Sequence, residues 1–169
     1  MHLVIVSGLS GSGKSTALHV LEDVGFNCID NLPVSLLPAL VAQIQIHKDD
    51  QHRFAIGIDV RNAWQDLSIF PQMISTLKEA HLPFQTLFLE SQTAVLIQRF
   101  SETRRKHPLS DKHTSLEEAI AAEQQLLEPI RDSADQVIDT SHLNLHELRD
   151  LVKERVVGRS ESTMAILFE

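Results

Sequence analysis

Eight consecutive residues, Gly8-Leu9-Ser10-Gly11-Ser12-Gly13-Lys14-Ser15, follow the spacing G-x-x-x-x-G-K-[ST], and their chemistry is that of a phosphate cradle. Glycines let the chain turn so tightly that successive backbone N–H groups point inward at an anion. Lys14 then supplies a positive charge for β- and γ-phosphates, and the Ser15 hydroxyl a ligand for Mg²⁺. At average glycine usage, such a match arises by accident on the order of once in 150–200 chains of this length.

A loop of this kind works with a second anionic residue near the metal, ordinarily at the end of a neighbouring apolar strand. Asp59 qualifies, after Phe54-Ala55-Ile56-Gly57-Ile58. Its expected task is to hold Mg²⁺ or position a water; the alternative is a simple cap on the next segment. Val60, Arg61 and Asn62 follow, with Arg61 suited to phosphate and Asn62 to a base edge or ribose. Glu90, after Thr86-Leu87-Phe88-Leu89, is the competing carboxylate. Asp30-Asn31 closes another short apolar run, where it could serve an acceptor hydroxyl or a Mg²⁺-bound water, or form an Asx turn before Pro33. No residue is a firm catalytic candidate beyond phosphate stabilisation by Lys14.

Between Arg99 and His113, five basic residues stand against two acids. Arg99, Arg104 and Arg105, with Lys106, fit a mobile lid that covers phosphates and excludes water. The same segment also reads as a solvated helix end or as an RNA-contacting patch. The nine His include no metal-ligand grouping, so no zinc site is expected.

The elements that must position these groups alternate. Leu3–Ser7 is a short, β-branched run ending at Gly8, a strand buried on both faces. Ala17, Leu18 and Leu21 continue it as a helix that stops at Gly25. Further strands are expected at 26–29, 54–58, 84–89 and 136–139. Helices are expected after Pro33 with Leu36, Leu37, Leu40, Val41 and Ile44 on one face, and over 67–80, 93–103, 115–134 and 145–157. Ser115-Leu116-Glu117-Glu118 has the form of a capping box. Strands alternating with helices predict an α/β fold with a mainly parallel sheet. Residues 158–162 read as a polar linker and 163–168 as a strand with nothing after it, which either adds to the edge of this sheet or leads into a further domain of a longer native chain.

With 15 Lys and Arg against 23 Asp and Glu, the net charge is −8, which argues against a whole-surface nucleic-acid binder. At 43% apolar and 22% charged, the composition excludes a disordered or collagen-like chain. Cys28 is alone and suits a reducing compartment. The apolar runs are too short to span a bilayer, and a cytoplasmic location without membrane contact is expected.

The loop, Asp30-Asn31-Leu32-Pro33, Asp59-Val60-Arg61-Asn62 and Thr103-Arg104-Arg105-Lys106-His107-Pro108-Leu109 occur in the order seen in the RapZ/YvcJ family, and the chain resembles the nucleotide-binding domain of that family. The resemblance implies a three-layer P-loop NTPase or nucleoside-kinase-like fold over residues 1–158, with 159–169 leading into a C-terminal domain. It also implies ATP or GTP binding with Mg²⁺ through Gly8 to Ser15 and Asp59 to Asn62, weak hydrolysis at most, and homo-oligomeric assembly. In enterobacterial members the full-length protein is an adapter that presents a small RNA to an endoribonuclease and so controls glucosamine-6-phosphate synthesis. A small-metabolite or nucleotide kinase is the alternative.

Overall fold

The computed structural model describes residues 2–47, 52–62 and 67–167. Among the described residues five parallel strands form one sheet in the order β2-β3-β1-β4-β5. They are β1 (His2–Gly8), β2 (Asn27–Ile29), β3 (Arg53–Ile58), β4 (Phe84–Glu90) and β5 (Gln136–Asp139). The helices are α1 (Lys14–Asp23), α2 (Leu37–Ile46), α3 (Phe70–Glu79), α4 (Thr93–Thr103), α5 (Leu116–Ser133) and α6 (Leu145–Leu167). In register, Ile5 lies beside Ile56 and Thr86, which fixes β1 at the centre of the sheet.

Period-two alternation in β1 sorts its side chains into two cores. Leu3 and Ile5 pack with Leu37, Phe70, Ile74, Ile120 and Leu127, beneath α2, α3 and α5. Val4 and Val6 pack with Ala17, Leu21, Leu148 and Val152, beneath α1 and α6, where Cys28 is a partly buried neighbour. The result is three layers, helices on both faces of a parallel sheet. The Ser115 capping box forms in full, its hydroxyl accepting from Glu118 N–H at 3.2 Å and the Glu118 carboxylate from Ser115 N–H at 3.0 Å.

Two expectations differ from the structure. A 3₁₀ turn at Val34–Leu36 precedes α2 and shifts its phase, so Val34, Leu37, Val41 and Ile44 face the core while Leu36 is exposed. The linker and strand expected over 158–168 are helical as far as Leu167, continuing α6. Gly158 interrupts nothing that packs there, and a glycine inside a helix costs only about 1 kcal/mol relative to Ala. Met164, Ala165 and Leu167 are strong helix formers, and β5, the outer strand on this side of the sheet, pairs only with β4 among the described residues. Phe168 and Glu169 lie outside the described residues.

Chain connections run to β2 and β3 on one side of β1 and to β4 and β5 on the other. The carboxyl end of β1 is therefore the switch point at which open α/β sheets take ligands.

Candidate functional site

The phosphate loop leaves β1 at that switch point. A Cβ on Gly8 would lie 2.4 Å from the Leu89 carbonyl oxygen of β4, so only glycine lets the two strands run this close. Gly13 takes φ 107° as it turns the chain into α1, and a Cβ there would meet a Leu148 methyl at 2.5 Å. The first turn of α1 has neither a capping side chain nor an acidic residue. Its N–H groups and the positive end of its dipole are left to face an anion.

Inside the loop the charges alternate. Lys14 Nζ lies 2.5 Å from Asp59 Oδ2, with 12% and 4% of the two side chains exposed. Arg61 Nε donates to both Asp59 oxygens at 3.0 Å, its Nη2 to Oδ2 at 2.6 Å, and its backbone N–H to Oδ1 at 2.8 Å. Burial alone would push the Asp59 carboxyl up, but the Arg61 hydrogen bonds and the Lys14 charge outweigh it and bring the pKa down to about 2. Asp59 is thus an anion at any physiological pH. Arg61 Nη2 also reaches Asp30 Oδ2 at 3.4 Å, while Asp30 Oδ1 accepts the Asn31 N–H at 2.8 Å. Glu90, the rival carboxylate, instead pairs with Arg131 of α5 at 2.7 and 3.1 Å.

Behind the loop, three elements hold its backbone. Glu123 of α5 accepts from the Ser10 N–H and, at 2.7 Å, from the Ser10 hydroxyl. Arg99 of α4 donates to the Gly11 carbonyl at 3.0 Å and to the Thr140 carbonyl at 2.6 Å. Thr140, just after β5, donates its hydroxyl to the Ser12 carbonyl at 2.6 Å.

A cavity of about 790 Å³ opens over the loop. Residues 9–16 line it, with Asp30, Asp59 and Arg61 from the β2 and β3 side and Thr140, Leu143, Asn144 and Leu145 from the β5 side. Arg99, Thr103, Arg105, Lys106 and Pro108 contribute from α4 and the segment after it. That volume lies within the range of small-molecule sites.

Of the residues singled out in the sequence, Leu9 to Ser15, Asp30, Asp59, Arg61, Arg99, Arg105 and Lys106 line this cavity. Gly8 shapes the loop from below, Val60 is buried, and Arg104 is the left-handed C-cap of α4 at φ 52°. The side chain of Asn62 lies outside the described residues. Sequence reasoning did not single out Glu123, Thr140 or Leu143 to Leu145. Glu123 lies in a stretch of α5 whose other acidic residues are exposed, and its helical spacing, three residues after Ile120 and four before Leu127, sets it on the apolar stripe, which is the signal that could have found it. Among the described residues no group of three or more His, Cys, Asp or Glu is placed to hold a metal ion, and no helix is long and apolar enough to cross a membrane.

The fold is that of the P-loop kinases. A gluconokinase from Sinorhizobium meliloti superposes with a TM-score of 0.56 at 18% identity, covering 99% of this chain and 96% of that one. A shikimate kinase from Acinetobacter baumannii superposes at 0.55 and 13% identity, with 93% of each chain covered. The family model of the RapZ-like N-terminal domain matches residues 1–160, and the chain belongs to that family. A Cellvibrio japonicus relative named "Nucleotide-binding protein" is 86% identical over the whole of this chain. One from Saccharophagus degradans with the same name is 53% identical. The chain spans 57% and 59% of those two proteins, respectively.

Proposed function

We propose that this domain binds a purine nucleoside triphosphate, ATP or GTP, together with Mg²⁺, and relays its occupancy to the rest of a longer protein. The observation that carries the reading is the Lys14–Asp59 pair at the mouth of an uncapped helix. Lys14 is held at the loop by a counter-ion and exchanges it for phosphate oxygens when a nucleotide enters. Asp59, still held by Arg61, is then left with the Ser15 hydroxyl as an oxygen donor set suited to Mg²⁺. The cation would screen phosphate charge there. In this reading Arg105 and Lys106, which line the cavity, cover the phosphates, and the base takes the side lined by Leu143 to Leu145. Hydrolysis in this reading is weak at most, as in the family the chain resembles.

Family membership supports the wider role. In that reading the full-length protein is a cytoplasmic homo-oligomer in which residues 1–158 form the nucleotide domain and a C-terminal domain follows residues 159–169. The whole binds small regulatory RNA, presents it to an endoribonuclease and controls amino-sugar synthesis. One observation favours a second reading, a small-metabolite or nucleotide kinase: Asp30 and Arg61 line the same cavity beside Lys14 and could orient an acceptor hydroxyl.

Isothermal titration tests the first reading. Mg²⁺-dependent heat with ATP or GTP is expected, with affinity sharply weakened in Lys14→Ala; silence at millimolar nucleotide, or unchanged binding in Lys14→Ala, overturns the proposal. Turnover near the roughly 1–100 s⁻¹ of kinases with any metabolite acceptor would favour the second reading.

A further inference from the structure

The basic segment after α4 carries one buried residue between exposed ones. Arg104, Arg105 and Lys106 are exposed, whereas the His107 side chain is fully buried. Leu109 N–H donates to His107 Nδ1 at 3.0 Å, which leaves the ring proton on Nε2. That nitrogen lies 2.9 Å from Glu123 Oε2, itself 1% exposed, yet off the line of a directed hydrogen bond. The same Glu123 carboxylate accepts both the backbone and the hydroxyl of Ser10. On its other side the imidazole packs against Phe100, ring centroids 5.4 Å apart, and Phe100 lies against Gly11 so closely that a Cβ there would come within 3.2 Å of the ring. His107 thus reaches two successive residues of the phosphate loop, Ser10 through Glu123 and Gly11 through Phe100.

A buried carboxylate is costly unless its partners are fixed, and a buried N–H left without a directed partner costs free energy, which favours turning His107 Nε2–H onto the Glu123 oxygen 2.9 Å away. We propose that His107 and Glu123 are positioning residues that latch the basic segment to the back of the phosphate loop, holding Arg105 and Lys106 over the terminal phosphates and so selecting triphosphates over monophosphates. The selectivity rests on the nucleotide reading above; the latch itself does not. Loop and segment move as one unit because one carboxylate serves both.

Two measurements test this on the 169-residue chain, with His107→Leu removing the donor, His107→Gln retaining one, and Glu123→Gln setting an NH₂ group against either Ser10 N–H or His107 Nε2–H. In limited trypsin digestion without nucleotide, cleavage after Arg104, Arg105 and Lys106 should rise at least about fivefold in His107→Leu and Glu123→Gln, and stay near wild type in His107→Gln. In titrations with Mg²⁺, His107→Leu should weaken ATP about tenfold and leave AMP unchanged, and that loss should disappear in an Arg105→Ala, Lys106→Ala background. Unchanged cleavage in His107→Leu overturns the latch, as does cleavage raised equally across the chain. Equal losses for ATP and AMP, or losses that multiply in the combined variant, overturn the selectivity. A latch that responds in a chain binding no nucleotide overturns the nucleotide reading and the selectivity together.

Discussion

The two faces of the phosphate loop obey opposite rules. On the inner face, N–H groups at the start of α1 have no side-chain cap, and Lys14 is held only by a counter-ion it can exchange. On the outer face, Ser10, Gly11 and Ser12 are bonded to Glu123, Arg99 and Thr140. A binding surface stores affinity in groups left unsatisfied, and the backbone around it must be saturated or it would collapse onto them. Changes behind the loop should therefore act first on stability, and changes inside it first on binding.

The largest effect should come from beneath. Gly8→Ala drives a methyl into the Leu89 carbonyl at 2.4 Å, and urea unfolding should show a loss of about 3–5 kcal/mol. Lys14→Ala should do the reverse, weakening Mg²⁺-nucleotide by roughly 100-fold, or about 2.7 kcal/mol, with unfolding changed by less than about 1 kcal/mol because Asp59 keeps Arg61. A comparable fall in stability would break the distinction between the faces.

Thr140→Val leaves the Ser12 carbonyl without its 2.6 Å donor; a stability loss of about 2 kcal/mol in thermal or urea unfolding is expected. Asp59 sharpens the inner face through pH. Its folded pKa of about 2 lies below the unfolded value of roughly 4, so its contribution is full above pH ~4 and is lost as pH falls through ~2. The stability difference between wild type and Asp59→Asn should accordingly shrink over that window, by about 1–2 kcal/mol. Glu90→Gln should do least: its pair with Arg131 is partly exposed, and a change below about 0.5 kcal/mol with unaltered nucleotide binding is expected.

How much was legible follows the same division. The inner face is built from consecutive residues whose types carry the chemistry, so Gly8 to Ser15 could be read from the chain, and Asp59 from its place after an apolar strand. The outer face is assembled from residues as far apart as Ser10 and Glu123, or Ser12 and Thr140; helical spacing sets Glu123 among the apolar residues of α5, but no local pattern names the loop residue it meets. His107 stood in a recognisable motif, but its burial could not be read among four exposed neighbours. At the end of α6, the apolar run after Gly158 was equally compatible with strand and helix; local hydropathy does not separate the two over so short a stretch.

The sequence by itself determined the strand–loop–helix unit, the alternation that makes a three-layer α/β domain, and the residues of the loop proposed to face phosphate, because each depends on residue type at short spacing. Only the tertiary structure decided which carboxylate faces Lys14, which one is buried against the loop and which merely decorates the surface. Asp59, Glu123 and Glu90 are chemically alike. Strand order and helix packing, which set their dielectric surroundings and their partners, give them different work.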